Sequence, residues 1–267
     1  IKDAKKGKIF ILVDNKNREN EGDLVIPASK ANSKSINFMA KHGRGLICLA
    51  LTKKQVNKLS LPLMSAVNKA RMQTAFTVSI EARKGITTGI SAFDRAKTIS
   101  VAIKKNSKKK DIVSPGHVFP LVARSGGVLE RAGHTEASVD ISKLAKLNPS
   151  SVICEVMNED GRMARLDDLL KFAKKHNLKI ASIEDLISYR LKNEKFMFNT
   201  LNKKIKIKKI GFFDLSIFKN KLDELEHYVI SKGKFNIWKS IRVRVISVDV
   251  DKGIEKLNNN LYLNSIK

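Results

Sequence analysis

Up to about residue 190, short apolar runs alternate with longer segments in which apolar residues recur every three or four positions. Short apolar runs are typical of buried strands, and the wider spacing is typical of amphipathic helices. A chain that alternates the two is expected to form a sheet with helices on both faces. The sequence therefore predicts an α/β fold for this part of the chain.

The alternation can be divided into individual elements. The predicted strands are residues 9–13, 46–51, 76–80, 117–122 and 152–156. The predicted helices are residues 33–42, 53–59, 94–104, 136–147 and 166–176. We expect Ser182 to cap a last helix that has Asp185 in its first turn and reaches about Leu191.

The texture of the sequence changes after Glu194. Residues 195–267 are rich in Lys, Asn and Ile, and two strand-like runs, 205–213 and 243–250, flank a helical stretch at about 221–230. We therefore predict one domain at 1–194 and a small α+β segment at 195–267.

Composition narrows the class of protein. The apolar runs are too short to cross a bilayer, no secretory signal is recognisable, and Cys48 and Cys154 suit reduced, buried thiols, so we expect a cytoplasmic protein without a membrane partner. The formal net charge of +26 suggests a polyanion partner. Because the excess Lys is spread over every segment and no nucleic-acid reader motif accompanies it, we expect no nucleic-acid partner.

The densest polar string is R-E-N-E-G-D at residues 18–23, just after the first predicted strand. Its three carboxylates repel one another, so a cation must compensate them if the loop folds inward. Magnesium suits this role because it prefers oxygen ligands, and Arg18 could bind a phosphate beside it. An ordinary acidic surface turn is the alternative, and the string alone leaves both open.

A second string, R-A-G-H-T-E-A at residues 131–137, lies where a loop enters a helix. The backbone N–H groups of a helix start, together with Arg131 and the Thr135 hydroxyl, could bind a phosphate or another anion. His134 could ligate a metal, although a lone histidine is more often a structural residue. The acidic string supplies the partner that a metal site needs.

Two ionisable residues lie in or beside apolar strands. His117, between Pro115 and Pro120, could act as a general acid or base, or could be a hydrogen-bonded turn residue. Glu155 has apolar neighbours on both sides, so it must be paired, hydrogen-bonded or carry a raised pKa. A catalytic base and a structural ion pair both meet that requirement.

The stretch G-I-T-T-G-I-S-A at residues 85–92, which includes Thr88, combines glycines and hydroxyls before a helix. It could bind phosphate or sugar hydroxyls, but a turn with Ser91 as the helix N-cap is the favoured interpretation. The sequence contains no P-loop, dinucleotide G-x-G-x-x-G, serine nucleophile elbow or zinc-finger spacing.

Six strings occur in a fixed order: RENEGD, NFMAKHGRGLICLAL, TTGISAFDRA, PGHVFPLVA, RAGHTEA and CEVMNEDGRMAR. Together they resemble the 3,4-dihydroxy-2-butanone 4-phosphate synthase family over about residues 5–193. The resemblance implies a three-layer α/β/α sandwich with a mixed sheet, and a homodimer with shared active sites. It also implies a riboflavin-biosynthesis lyase that converts D-ribulose 5-phosphate to L-3,4-dihydroxy-2-butanone 4-phosphate and formate.

The resemblance also assigns residues. It places Mg²⁺ or Mn²⁺ on Glu19 and His134, with two ions per active site when substrate is bound, and it matches His117 and Glu155 to the catalytic positions. The substrate contacts that it implies are Arg18, Glu19, Asp23, Arg131, Ala132, Gly133, His134, Thr135 and Glu155. Additional candidates near the pocket are Glu21, Cys48 and Thr88.

The resemblance has two limits. Ser114 stands where the family usually has an arginine, from which we expect altered loop contacts without loss of the chemistry. Residues 225–235 and 243–247 resemble the opening of GTP cyclohydrolase II, to which this synthase is fused in many bacteria. That enzyme holds zinc with three cysteines, and residues 195–267 contain none, so we expect no cyclohydrolase activity. An inactive scaffold and a basic nucleic-acid-binding protein are the rival hypotheses.

Overall fold

The computed structural model describes residues 1–207, 211–222, 225–233 and 240–245. The chain divides into two compact units, Ile1–Glu194 and Lys195–Lys267. A seven-stranded sheet forms the centre of the first unit, and a three-stranded sheet lies in the second.

The large sheet is mixed. Its strands are β1 (Phe10–Val13), β2 (Gly22–Pro27), β3 (Cys48–Thr52), β4 (Ile80–Ala82), β5 (Ile112–Ala123), β6 (Ser150–Glu155) and β7 (Ile180–Ser182). They lie in the order β4-β5-β3-β6-β2-β1-β7. The pairs β3–β5 and β1–β7 are parallel, and the other neighbours are antiparallel.

Helices cover both faces of this sheet, as the alternating sequence pattern predicts. They are α1 (Lys2–Lys5), α2 (Ser33–Phe38), α3 (Lys53–Leu59), α4 (Ala92–Ala102), α5 (His134–Leu144), α6 (Leu166–His176) and α7 (Ile183–Asn193). A π-helical turn, Met39–Gly43, directly extends α2. Both ends of α3 and α6 agree with the sequence-based prediction.

Two apolar layers hold the helices to the sheet. Leu24 of β2 packs in the layer that includes α2, α4 and α6, whereas its neighbour Val25 packs in the layer that includes α5 and α7. Every residue of β2 is buried, because successive side chains point to opposite faces and both faces are covered. Burial of each large aliphatic side chain contributes about 1.5–3 kcal/mol. The α/β/α sandwich is confirmed.

Two predicted helix caps are also confirmed. The Ser91 hydroxyl accepts a hydrogen bond from the Asp94 backbone N–H over 3.0 Å, and Ser182 accepts one from Asp185 over the same distance. Each bond satisfies an N–H group that the first turn of a helix leaves without a backbone partner.

The predicted strand at 76–80 is wrong over most of its length. Phe76 and Thr77 form only isolated bridges, and the strand begins at Ile80 and continues beyond the predicted end. The Thr77 N–H donates to the carbonyl of Pro120, but proline has no N–H with which to continue the ladder.

The second unit contains β8 (Met197–Ile207), β9 (Gly211–Asn220) and β10 (Glu226–Ser231), paired antiparallel in the order β10-β9-β8. The helix predicted at about 221–230 is wrong, because Tyr228, Val229 and Ile230 favour a strand and pair with β9. Among the described residues of this unit there is no helix. The strand predicted at 243–250 is not present at 243–245, and its remainder lies outside the described residues.

Candidate active site

The acidic loop after β1 is built around the carboxylate of Asp14. This carboxylate accepts hydrogen bonds from Arg18 Nη1 at 2.8 Å, from the Glu19 backbone N–H at 3.1 Å and from the Glu21 backbone N–H at 2.9 Å. Its side chain is only 1% exposed. A buried carboxylate with three donors fixes the loop, so the Arg18 and Glu19 side chains start from a rigid backbone.

His134, the first residue of α5, lies against this loop. Its Nδ1 is 3.6 Å from Glu19 Oε2, and its Nε2 is 4.0 Å from Asp23 Oδ1. The imidazole is buried, and within the described part of the chain Nε2 has no hydrogen-bond partner. A buried polar atom without a partner is costly, and at a functional site it indicates a ligand position.

Negative charge dominates this cluster. Burial raises the pKa of Asp23 to about 7, although the charge of His134 opposes the shift. Burial also raises the pKa of Glu21, and the negative charge of Glu19 raises it further. Burial opposes protonation of His134, but the charges of Asp23 and Glu19 outweigh it and raise the His134 pKa to about 9. The site therefore attracts positive charge, either as a proton or as a cation.

The donor set also suits a divalent metal. Carboxylate oxygens of Asp14 and Glu19 and a ring nitrogen of His134 lie within 4.8 Å of one another. Two carboxylates and an imidazole are acceptable ligands for Mg²⁺ or Mn²⁺, which take oxygen donors and water readily. Asp14 was not among the ligands that the sequence suggested, although a carboxylate that ends a buried strand was a usable signal.

The N-terminus of α5 carries the second group of candidate residues. Arg131 Nη1 donates to Glu136 Oε2 at 2.7 Å, and Arg131 Nη2 donates to the carbonyl of Met72 at 3.0 Å. A side chain at Gly133 would place its Cβ 2.2 Å from Arg131 Nη1, so the guanidinium needs a glycine here. Thr135 is buried in the first turn. A guanidinium beside the N–H groups of a helix start is chemically able to bind an anion.

Ala132 links Arg131 to the helix and contributes backbone to this turn. Glu136 was missed as a functional candidate, although it lies within the same seven-residue string. Its carboxylate is 1% exposed and also accepts from the Arg124 backbone N–H at 3.0 Å.

Sheet pairing brings Glu155 beside this site. Asp23 of β2 and Glu155 of β6 are direct partners in register. Glu155 Oε2 accepts a hydrogen bond from the Leu46 backbone N–H at 2.8 Å, so the carboxylate is hydrogen-bonded within its strand environment. Gly45 makes this possible, because a Cβ there would lie 2.5 Å from Glu155 Oε2.

Cys48 lies in the adjoining strand β3, directly opposite Ile153 of β6. Burial raises the pKa of its thiol, so the sulfur stays protonated at neutral pH. Neither Cys48 nor Cys154 forms a disulfide, which confirms the prediction of free, buried thiols.

His117 lies in β5, where its Nδ1 contacts Oε1 of Glu81 in the neighbouring strand β4. Thr88 is exposed in the loop that passes beside this pair. Asp94 holds that loop by accepting hydrogen bonds from the backbone N–H groups of Thr87 and Gly89, at 3.1 Å each. Among the described residues, His117 has no hydrogen bond or ion pair with the cluster around His134. Glu81 was not recognised from the sequence.

The first unit matches the family model of 3,4-dihydroxy-2-butanone 4-phosphate synthase over residues 1–189. The chain belongs to this family. Riboflavin biosynthesis protein RibBA of Aquifex aeolicus is 51% identical over 92% of this chain and 61% of its own length. A 3,4-dihydroxy-2-butanone 4-phosphate synthase of Photobacterium phosphoreum is 48% identical over 95% of this chain and 70% of its own length.

Solved synthase structures agree with the fold. RibBX, a two-domain 3,4-dihydroxy-2-butanone 4-phosphate synthase from A. baumannii, matches 87% of this chain and 68% of its own, with a TM-score of 0.79 and 47% identity. A synthase in complex with two magnesium ions matches 72% of this chain and 94% of its own, with a TM-score of 0.68 and 38% identity. The α/β fold of this chain therefore matches that of solved synthase structures.

A search of the described residues for a helix both long and apolar enough to cross a membrane found none.

Proposed function

We propose that this chain catalyses the synthase reaction, in which D-ribulose 5-phosphate yields L-3,4-dihydroxy-2-butanone 4-phosphate and formate. The observation that carries the proposal is the position of His134. Its unpartnered Nε2 belongs to the first residue of α5, whose N-terminus also presents Arg131, while Glu19 and Asp23 approach the same ring. This arrangement supports a metal site beside a phosphate site, which a phosphorylated sugar substrate would need.

We propose that Glu19 and His134, with Asp14, hold Mg²⁺ or Mn²⁺. The excess negative charge of the loop and the approach of Glu19 Oε2 to within 3.6 Å of His134 Nδ1 support this assignment. A solved relative is in complex with two magnesium ions, and we propose two ions per active site when substrate is bound. A bound ion would stabilise the negative charge that develops on substrate oxygens when a proton is removed beside a ketone.

Phosphate binding is assigned to the start of α5. Arg131 is only partly exposed and is held by Glu136, so its guanidinium is fixed before substrate arrives. The N–H groups of the first helical turn and the Thr135 hydroxyl complete the set. Arg18, which pairs with Asp14 and Glu19, can contact a second anionic oxygen of the substrate.

Proton transfers are assigned to Glu155 and His117. Side chains alternate along each strand, so His117, Glu155 and Asp23 face the same side of the sheet as Leu121, Ile153 and Val25, which pack with α5. Strands two apart are separated by about 10 Å, a span that a five-carbon sugar phosphate can fill. Groups at both ends of the substrate could therefore exchange protons with it.

We further propose that the protein is a homodimer with shared active sites, as the family resemblance implies. The alignments with the Aquifex and Photobacterium relatives cover 92% and 95% of the chain, so they extend into the second unit. We propose that 195–267 is a partial, degenerate cyclohydrolase-like segment fused to the synthase domain. Light scattering on the purified chain tests the dimer, since a monomeric mass in an active preparation contradicts it.

The test of the activity is formate release from ribulose 5-phosphate, measured with Mg²⁺ and then with excess EDTA. We expect formate with Mg²⁺, loss of formate with EDTA, and recovery when Mg²⁺ is restored. Glu19→Gln and His134→Ala are expected to abolish both the activity and the response to metal. Asp3→Asn serves as the control, because Asp3 pairs with Lys179 outside the site.

The proposal would be wrong if folded wild-type protein released no formate after Mg²⁺ was restored. The inactive-scaffold hypothesis would then be favoured. Salt-sensitive binding to unrelated DNA or RNA would instead favour the nucleic-acid hypothesis.

A further inference from the structure

The pair formed by Glu81 and His117 has a definite chemical orientation. We infer that Glu81 is a positioning residue, whose carboxylate binds the Nδ1–H of His117 and leaves Nε2 as the nitrogen that exchanges protons with substrate. The inference deepens the proposed function and rests on it for the identity of the reaction. The orientation of the imidazole, however, can be tested without substrate.

The geometry of the strands directs Glu81 toward His117. Strand β4 pairs antiparallel with β5, and the register shifts between Ile80 and Glu81. A shift of this kind re-aims a side chain that regular pairing would send elsewhere. Glu81 Oε1 therefore contacts Nδ1 of His117, although Val113 is the register partner of Glu81.

Two glycines enclose the pair with backbone. A Cβ at Gly89, whose φ is +88°, would lie 1.7 Å from Glu81 Oε1 and 2.8 Å from His117 Nδ1. A Cβ at Gly116 would lie 2.5 Å from Glu81 Cγ. A Cβ at Gly89 would displace the carboxylate, and one at Gly116 would meet the Ile80 backbone as well as the Glu81 stem, so both segments fit closely against the pair. The Glu81 side chain is 16% exposed, whereas the His117 side chain is 45% exposed.

The chemistry follows from the donors available. An ionised carboxylate can only accept hydrogen bonds, so Nδ1 carries the proton and Nε2 of a neutral imidazole is the free base. When Nε2 takes a proton from substrate, the carboxylate stabilises the imidazolium, and the same proton can be returned to a later intermediate. This division of roles is the one that an acidic residue behind a general-base histidine performs in hydrolases.

A purely structural ion pair is the competing explanation, and it makes a different prediction. In that case Glu81 would stabilise the loop without fixing the tautomer of His117. Substitution of Glu81 would then lower the melting temperature. It would not change which ring nitrogen of His117 carries the proton, and it would not lower kcat selectively over KM.

The direct experiment is ¹⁵N NMR of the histidine side chains in the full chain, with His117→Asn used to assign the His117 signals. In the wild type we expect neutral His117 as the Nδ1–H tautomer. In Glu81→Gln we expect the Nε2–H tautomer to gain population, because the neutral amide can either accept from Nδ1–H or donate to Nδ1, whereas the carboxylate can only accept. An unchanged tautomer in folded Glu81→Gln protein would overturn the inference.

Kinetics supply the second readout. We expect Glu81→Gln to lower kcat about 10- to 100-fold with little change in KM, because a positioned general base contributes about 10²- to 10⁴-fold and the variant would keep part of that contribution. In a His117→Asn background the same substitution should have no further effect, because the residues act as one unit. Multiplicative losses in the double variant would contradict the positioning role.

Two controls protect the interpretation. Glu159→Gln removes a carboxylate whose side chain is 88% exposed, and it should change neither readout. Glu81→Asp keeps the charge but withdraws it by one methylene, so it should reproduce the kcat loss in protein that folds normally. If the wild type releases no formate, the proposed function fails, and the tautomer measurement still decides whether Glu81 orients His117.

Discussion

Glu136 Oε2 lies 2.7 Å from Arg131 Nη1, and this carboxylate is almost completely buried while the guanidinium is partly open to solvent. Glu136 is the third residue of α5, and Arg131 lies three residues before the helix begins. Because the partner carboxylate is fixed, the arginine presents its remaining N–H groups in one direction. An anion at the helix start would meet a guanidinium that is already oriented.

Glu136→Gln should therefore weaken substrate binding. We expect KM for ribulose 5-phosphate to rise about tenfold, which corresponds to about 1.4 kcal/mol, with a smaller change in kcat. Loss of the charged hydrogen bond should lower the free energy of unfolding by about 1–3 kcal/mol. Steady-state kinetics and urea unfolding measure both, and exposed Glu130→Gln is the matched control. An unchanged KM would mean that Glu136 does not orient Arg131.

Gly45→Ala should damage the site through Glu155. The new Cβ would lie 2.5 Å from both the carbonyl oxygen and Oε2 of Glu155, so the strand or the carboxylate must move. We expect a loss of about 1–3 kcal/mol in unfolding free energy, and a fall in kcat of at least tenfold. Leu46→Ala is the control, because it keeps the backbone N–H that donates a hydrogen bond to Glu155. Normal activity in Gly45→Ala would contradict the packing argument.

Asp94 should make stability depend on pH in the acid range. A hydrogen bond from the Thr87 hydroxyl, joined by the backbone N–H groups of Thr87 and Gly89, lowers the Asp94 pKa. Its ionised form therefore stabilises the fold above the unfolded value of about 3.9, and that contribution disappears as pH falls through the lower folded value.

The corresponding measurement is urea unfolding of the wild type and Asp94→Asn between pH 7 and pH 2.5. We expect the wild type to be more stable at pH 7 and the difference to shrink below about pH 4. A difference that stays constant over this range would show that the Asp94 charge does not contribute.

Asp14→Asn should weaken metal binding and loosen the acidic loop. The substitution removes a negative charge next to Glu19. The three donors that share two carboxylate oxygens in the wild type would then have one carbonyl oxygen. We expect the Kd for Mg²⁺ to rise about tenfold, equivalent to about 1.4 kcal/mol, and Mg²⁺ to raise Tm less than in the wild type. Calorimetric titration measures the affinity, with Asp3→Asn as control. Equal affinities would remove Asp14 from the metal site.

Local sequence signals predicted much of the fold because they have short-range causes. The bounds of α3 and α6 and the Ser91 and Ser182 caps depend on residues within one or two turns. The interrupted pairing near Phe76 depends instead on Pro120, which lies in another strand and cannot be linked to it by periodicity.

The candidate site shows the same division. The two strings that contain Glu19 and His134 can be read from the sequence, and their residues do lie together. Glu81 could not be recognised in this way, because its importance comes from a register shift that turns it toward a histidine 36 positions away. Strand pairing and its bulges depend on residues far apart in the chain, so they leave little signal in the local sequence.

The strand order has a consequence for the nascent chain. β6 is made after β1 to β5, yet it lies between β3 and β2 and is the strand that joins them. While the ribosome has not passed residue 149, the polypeptide can form only two separate ribbons, β4-β5-β3 and β2-β1, each with an open apolar edge. Such edges pair readily with other chains. We expect early termination to yield aggregates, and ribosome-associated chaperones to be needed until the joining strand emerges.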